Sequence, residues 1–306
     1  MKVDPLQLAA IVRRALEEDV GQGDVTSMWA IPARRMGHGV LLYKGEILRF
    51  AQNDSEILGD ASSHQNDRGG PDPHDVLAGL PVVREVFAQV SASVRLIDLK
   101  SDGDLLVPGD RIATVEGPLA AILTAERTAL NLLQRMSGIA TATRRYVEAV
   151  AGTKAVILDT RKTAPGLRLL DKWAVRIGGG QNHRMRLDEM VLIKDNHIAA
   201  AGSIARAVER VRERNVRGLP VEVEVKTWAE LEEAVAWQPD RIMLDNMSLD
   251  EMRRAVAWVA GRVPLEASGG IALQAVRAVA ETGVDFISVG ALTHSVKALD
   301  ISLEVA

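Results

Sequence analysis

Val221-Glu222-Val223-Glu224-Val225, then a helical pattern from Trp228 to Trp237, then Arg241-Ile242-Met243-Leu244 read as strand, helix and strand. Valine-rich runs of four or five residues are too short for helices, and the segment between them repeats its apolar residues at helical spacing. The same rhythm extends outward in both directions. Ala155 to Leu158, Val191 to Ile193, Pro264 to Ala267 and Phe286 to Val289 are further strands, with helices at Ile204 to Arg214, Leu249 to Val259 and Ala272 to Glu281. Repeated strand-helix units imply a parallel sheet, open or closed into a barrel. Six strands in roughly 160 residues fall short of the eight strands and ~250 residues of a complete barrel. The expected fold is therefore α/β, an incomplete parallel βα barrel over 131–296.

The first 130 residues have another character. Leu8, Ile11, Val12, Ala15 and Leu16 predict an opening helix, which Gly21-Gln22-Gly23-Asp24 ends. Val40 to Tyr43, Ser93 to Leu99 and Asp110 to Val115 read as strands, and Val76 to Val90 as a helix. Together they predict a small α+β sandwich domain ahead of the barrel. From about Gly45 to Asp75 the chain turns polar and loses periodicity, and Ser55-Glu-Ile-Leu imperfectly repeats Gly45-Glu-Ile-Leu. This segment reads as an inserted surface loop, and its His64 and His74 as solvated rather than metal-ligating.

Composition narrows the chemistry. The 306 residues are 47% hydrophobic and 25% charged, which supports a sizeable core. A formal net charge of -4 gives no basic field for nucleic acid. With no cysteine, disulfides, thiolate nucleophiles and cysteine zinc sites are excluded, and a reducing cytoplasm suits the chain. The amphipathic start lacks a signal peptide's apolar core, and no apolar run has transmembrane length, so neither membrane insertion nor export is expected.

Catalytic groups of βα barrels sit where strands end. Here the tips are Asp159-Thr160-Arg161-Lys162-Thr163, Lys194-Asp195-Asn196-His197, Asp245-Asn246, Ser268-Gly269-Gly270 and Gly290-Ala-Leu-Thr-His294. Glu222 and Glu224 share one face of their strand, which is either a solvated face or an interior one carrying costly buried acids. Gly178-Gly179-Gly180 delivers His183 and Arg184 to whatever they face, and lacks dinucleotide-binding spacing. A single His-Arg pair in a loop is usually surface. Arg161, Lys162, His183, Arg184 and Lys194 together form a cup for a small polyanion. The two glycine-rich final tips suit a phosphate. Cup, phosphate grip and the acids Glu224 and Asp245, with Glu222 as a third candidate, suggest a phosphorylated sugar meeting an anionic acceptor, with magnesium between acids and pyrophosphate.

At these residues the chain resembles the quinolinate phosphoribosyltransferase family. The match runs through Glu126-Arg127-Thr-Ala-Leu-Asn131, Ser137-Gly-Ile-Ala-Thr141, Asp159-Thr-Arg-Lys-Thr163, Gly178-Gly-Gly-Gln-Asn-His-Arg184, Leu192-Ile-Lys-Asp-Asn-His197, Val221-Glu-Val-Glu-Val225, Leu244-Asp-Asn246, Glu266-Ala-Ser-Gly-Gly270 and Val289-Gly-Ala-Leu-Thr-His294. It covers nearly everything except about 45–75. The resemblance implies transfer of phosphoribosyl from phosphoribosyl pyrophosphate to quinolinate with decarboxylation, giving nicotinate mononucleotide, pyrophosphate and carbon dioxide. It implies that Arg127, Arg161, His183, Arg184 and Lys194 hold quinolinate and that Lys162 spans acceptor and pyrophosphate. Glu224 and Asp245 would serve magnesium-pyrophosphate and the ribose hydroxyls, and Ser268, Gly270, Gly290 and His294 the 5-phosphate. Lys162, Lys194, Glu224 and Asp245 are the expected catalytic residues, with Mg2+ and no organic cofactor. The resemblance also implies a homodimer or larger ring in which Arg127 reaches the partner's site, and a tail, 297–306, that returns to the first domain. The alternatives are a Schiff-base aldolase using Lys194, a related transferase with another acceptor, and a non-catalytic phosphometabolite-binding protein.

Overall fold

The computed structural model describes residues 3–45 and 75–305, so all but the two end residues of the expected insertion, His64 and His74 included, lie outside the described residues. The described chain divides into two compact units, 1–141 with 297–306, and 142–296.

In the first unit Asp4 accepts the Leu6 N–H at 3.0 Å and Pro5 occupies the first turn, which starts helix α1 (Pro5–Val20). Asp24 caps α2 (Val25–Ala30) in the same way through Ser27. There follow β1 (Met36–Tyr43), β2 (Asp75–Val76), α3 (Leu80–Val90), β3 (Arg95–Asp98), β4 (Leu105–Leu106), β5 (Arg111–Pro118) and α4 (Leu119–Ala149). The helix expected from Val76 starts later. Asp75 and Val76 pair with Leu106 and Leu105 instead, and Gly79 turns through φ +116, a conformation open to glycine, before α3 begins. Asp102 accepts the N–H groups of both Gly79 and Leu80, capping that helix from outside. Leu80, Val82, Val83, Val86 and Phe87 bury one face of α3, and Leu106, Ile112 and Val115 join the unit's core.

Helix α4 passes through the boundary expected near residue 130, and the division into units falls between residues 141 and 142. The second unit comprises β6 (Val156–Leu158), α5 (Arg168–Ile177), β7 (Val191–Ile193), α6 (Asp195–Ala201), α7 (Ile204–Arg214), β8 (Val221–Val225), α8 (Trp228–Ala236), β9 (Arg241–Asp245), α9 (Leu249–Val259), β10 (Leu265–Ser268), α10 (Leu273–Ala280), β11 (Phe286–Ser288) and α11 (Ala291–His294). The chain ends in β12 (Ile301–Val305), which pairs antiparallel with β1 in the first unit's four-stranded sheet, ordered β12-β1-β5-β3. Lys44 donates to Glu304 beside that seam.

The second unit's sheet is parallel, in the order β6-β11-β10-β9-β8-β7. Read as a circle, this is a barrel with consecutive strands adjacent and a break between β6 and β7. A single parallel bridge from Leu158 to Gln181 extends the β6 edge. Ile157, Val223, Ile242, Leu244, Ala267 and Ile287 are buried, and so are all five residues of β8, as expected for strands covered on both faces. The closed reading of the Glu222 and Glu224 face is therefore the one the fold adopts. Among the described residues, no helix is long and apolar enough to cross a membrane.

Candidate active site

The strand tips converge on one polar region in the second unit. Past β6, Asp159 is fully buried and accepts the Lys172 ammonium at 2.5 Å, the His183 N–H at 2.9 Å and the Asn182 side-chain amide at 2.6 Å. Lys172 also donates to the His183 carbonyl at 2.8 Å. Helix α5 thus fastens the glycine-rich loop to the end of β6. Burial raises the Asp159 carboxyl and lowers the Lys172 ammonium from their ordinary values, and the ion pair opposes both shifts.

That fastening brings Arg184 beside Arg161. Burial, and then the charge of Arg161, pull the Arg184 guanidinium below its usual range. The Nε of Arg161 is buried and has no hydrogen-bond partner within the protein. Two neighbouring cations, one with a desolvated and unused donor, are costly until an anion joins them. Lys194, at the end of β7, reaches Glu224 Oε2 at 2.7 Å. A lysine engaged by a carboxylate in this way would have to leave it before attacking a carbonyl, as a Schiff-base aldolase requires.

Lys162 lies against the final tip. A Cβ added at Gly290 would stand 3.2 Å from Lys162 Cδ and 3.1 Å from the His294 ring, and Thr293 donates to the Lys162 carbonyl at 2.9 Å. Ser268 stands level with Asp245 across the β9–β10 ladder. Gly269 adopts φ +108, and a Cβ there would lie 2.2 Å from Asn246 Oδ1, so only glycine fits. Lys162, Ser268, Gly270, Gly290 and His294 thereby line adjoining tips. Arg127 belongs to the first unit, exposed on α4.

Glu224 and Asp245 project from neighbouring strands, with Lys226 Nζ 3.9 Å from Asp245 and 2.6 Å from Asp195. Two hard carboxylates suit magnesium, which typically takes one or two from protein and the remainder from phosphate and water.

Beneath the cup lies a pair of acids, Glu222, which the sequence offered as a third carboxylate, and Glu266, to which it gave no role. Glu266 ends its carboxylate 2.7 Å from Arg241 and 3.8 Å from His183 Nε2, and Glu222 Oε2 is 2.9 Å from the same nitrogen. Burial raises both carboxyls to about 7, with the Glu222 charge adding to the rise of Glu266. Burial lowers His183, keeping its ring neutral. A signal for Glu266 was present in the sequence, since it precedes Ser268 within an apolar strand as Glu222 does in its own; Lys172 and Arg241 carried none.

Comparison with known proteins places this arrangement. The family model described as "Quinolinate phosphoribosyl transferase, C-terminal domain" matches residues 139–304, and its N-terminal counterpart matches residues 61–137. A Bacillus subtilis protein named "Probable nicotinate-nucleotide pyrophosphorylase [carboxylating]" is 41% identical over 98% of this chain and 94% of its own length. A Nicotiana glauca protein named "Quinolinate phosphoribosyltransferase [decarboxylating] 1" is likewise 41% identical, over 97% and 82%. The solved nicotinate-nucleotide pyrophosphorylase of Francisella tularensis superposes with a TM-score of 0.86 at 37% identity, covering 100% of this chain and 98% of that one. The chain belongs to the quinolinate phosphoribosyltransferase family.

Proposed function

We propose that the chain transfers the ribose 5-phosphate unit of phosphoribosyl pyrophosphate to the ring nitrogen of quinolinate with decarboxylation, supplying nicotinate mononucleotide to de novo NAD biosynthesis. The observation that carries this reading is the Arg161–Arg184 pair with its buried, unpartnered Nε. Such a pair suits a planar dicarboxylate, each guanidinium taking one carboxylate in bidentate fashion.

Arg161, Arg184 and Lys194 hold quinolinate, and Arg127 completes the cup from a partner subunit. Lys162 spans the acceptor and pyrophosphate. Ser268, Gly270, Gly290 and His294 take the 5-phosphate. The bond from ribose C1 to the pyrophosphate oxygen breaks, its electron pair leaving with pyrophosphate, and the quinolinate nitrogen lone pair forms the new bond to C1. Glu224 and Asp245 stabilise the positive charge that develops on the ribose. Holding both reactants in line supplies much of the remaining acceleration. The ribosylated nitrogen is then cationic, so the bond to the adjacent carboxylate can break with its electrons drawn toward the ring; carbon dioxide departs and a proton replaces it. Magnesium, held by Glu224, Asp245 and the substrate, would neutralise the leaving pyrophosphate. No organic cofactor is required.

The first unit exposes Leu6, Val25, Met28, Trp29 and Met36, apolar surface that supports assembly into a homodimer or larger ring. A chain without cysteine suits the cytoplasm, where this reading places it. The test is formation of nicotinate mononucleotide from quinolinate and phosphoribosyl pyrophosphate. The expected result is product only with both substrates, and none when nicotinate, with one carboxylate, replaces quinolinate. Equal turnover of nicotinate would overturn the assignment of the acceptor.

A further inference from the structure

His183 is the residue of the cup whose role the geometry changes. All four of its polar atoms are engaged inside the protein. Its N–H donates to Asp159 at 2.9 Å, its carbonyl accepts from Lys172 at 2.8 Å, Nδ1 accepts the Arg184 N–H at 2.8 Å, and Nε2 meets Glu222 Oε2 at 2.9 Å. The residue is 9% exposed. Nothing polar on it remains for a substrate carboxylate.

The ring's tautomer follows from its partners. A backbone N–H can only donate, so Nδ1 must present a lone pair and the proton of the neutral ring sits on Nε2, directed at Glu222 Oε2. The same assignment argues against a cation among His183, Glu222 and Glu266, the one group of three close ligand residues among the described residues, because Nε2 then has no lone pair to offer. Glu222 is itself set in a line: Glu266 lies next to it across His183 Nε2, and Arg241 grips Glu266 at 2.7 Å while stacking on Phe286.

We infer that His183 is a positioning residue rather than a quinolinate ligand: Glu222 fixes its Nε2–H tautomer, and the Nδ1 lone pair this leaves holds the Arg184 N–H and so aims the Arg184 guanidinium. The chain of contacts runs from Arg241 through Glu266, Glu222 and His183 to Arg184, whose Nη1 is steadied at its far end by the Met190 carbonyl at 2.8 Å. Orientation is what such a support contributes, and a small misplacement of a bidentate cation weakens binding sharply. The inference rests on the proposed function only in naming quinolinate as the anion that Arg184 takes.

Two measurements test it on the full-length protein. Nitrogen-15 NMR of histidine-labelled protein, with the His183 signals assigned by their loss in His183→Gln, reads the tautomer directly. A protonated Nε2 and bare Nδ1, unmoved by saturating quinolinate, are expected; an Nδ1–H ring, or a signal that shifts as a direct carboxylate contact would shift it, overturns the inference. Steady-state kinetics then compare Glu222→Gln, whose amide oxygen still accepts from Nε2–H, with Glu222→Leu, which cannot. The leucine variant should raise the quinolinate KM at least tenfold with the phosphoribosyl pyrophosphate KM within about twofold, and the glutamine variant should restore most of it. A folded leucine variant with unchanged quinolinate KM contradicts the inference; if that variant does not fold, the glutamine variant decides, since a quinolinate KM raised tenfold there contradicts it too. A wild-type protein that turns over no quinolinate would defeat the proposed function while leaving the tautomer result standing.

Discussion

Lys172 and Asp159 form a fully buried ion pair, 2.5 Å apart, that joins helix α5 to the end of strand β6 and hangs the His183–Arg184 loop from both partners. Removing one member leaves an uncompensated charge at a position closed to solvent. Lys172→Met should therefore cost about 3–5 kcal/mol of stability. The double variant Asp159→Leu with Lys172→Met should recover part of that loss, yet stay inactive because the His183 N–H and Asn182 amide lose their acceptor. Chemical denaturation and turnover of the three proteins check this, and an active double variant would contradict it.

Lys194 is about half exposed and its partner Glu224 nearly buried. Lys194→Ala removes a charge from the anion cup without opening the core. Stability should change by less than about 1 kcal/mol, while kcat/KM falls by about a hundredfold or more, as expected for loss of a charge-assisted contact to the substrate. Wild-type-like turnover in the folded variant would remove Lys194 from the machinery.

Glu266 supplies a pH signature. Its folded carboxyl is raised to about 7 by burial and by Glu222, so the folded state binds the proton more tightly than the unfolded chain. The stabilisation this gives is present at pH values below the ordinary carboxylate range and is lost as pH rises toward 7. Glu266→Gln, neutral at every pH, should escape that loss. Relative to wild type it should gain on the order of 1–3 kcal/mol between pH 4.5 and pH 8. Melting curves at the two pH values test the sign; a difference that shrinks with rising pH contradicts it.

Gly269 combines φ +108 with a Cβ position 2.2 Å from Asn246 Oδ1. Gly269→Ala should cost about 1–3 kcal/mol through backbone strain and displacement of Asn246. Because Ser268 and Gly270 flank it, the phosphoribosyl pyrophosphate KM should rise more than the quinolinate KM. Equal effects on both would detach this turn from the phosphate.

Much of the barrel was legible because its strands are short apolar runs ended by charged or glycine-rich tips, as at Val191–Ile193 before Lys194. The alternation in β8 put Glu222 and Glu224 on one face but left open whether that face was wet, since only the neighbouring strands and helices decide it. Helix α4 was missed as a continuous element: Ser137, Gly138 and Thr141 interrupt its apolar pattern with small residues that tertiary contacts use. The Ser137 hydroxyl accepts the Ala78 N–H, Thr141 the Val76 N–H, and a Cβ at Gly138 would strike the Lys297 carbonyl. Lys172 gave no sign of itself because a buried lysine in a helix looks like a solvated one until its acceptor, far along the chain, is placed beside it. The cationic cup needed only residue types at strand ends and in the glycine-rich loop; the burial of Glu222 and its pairing with Glu266 beneath it needed the fold.

If Arg161 and Arg184 are paired to receive a dicarboxylate, that acceptor should lose carbon dioxide after ribosylation. The measurement is release of labelled carbon dioxide from quinolinate labelled at its 2-carboxylate, with phosphoribosyl pyrophosphate and magnesium present or omitted singly. Release should require both and match pyrophosphate mole for mole; pyrophosphate released without labelled carbon dioxide, or no release from folded protein, would contradict a dicarboxylate acceptor.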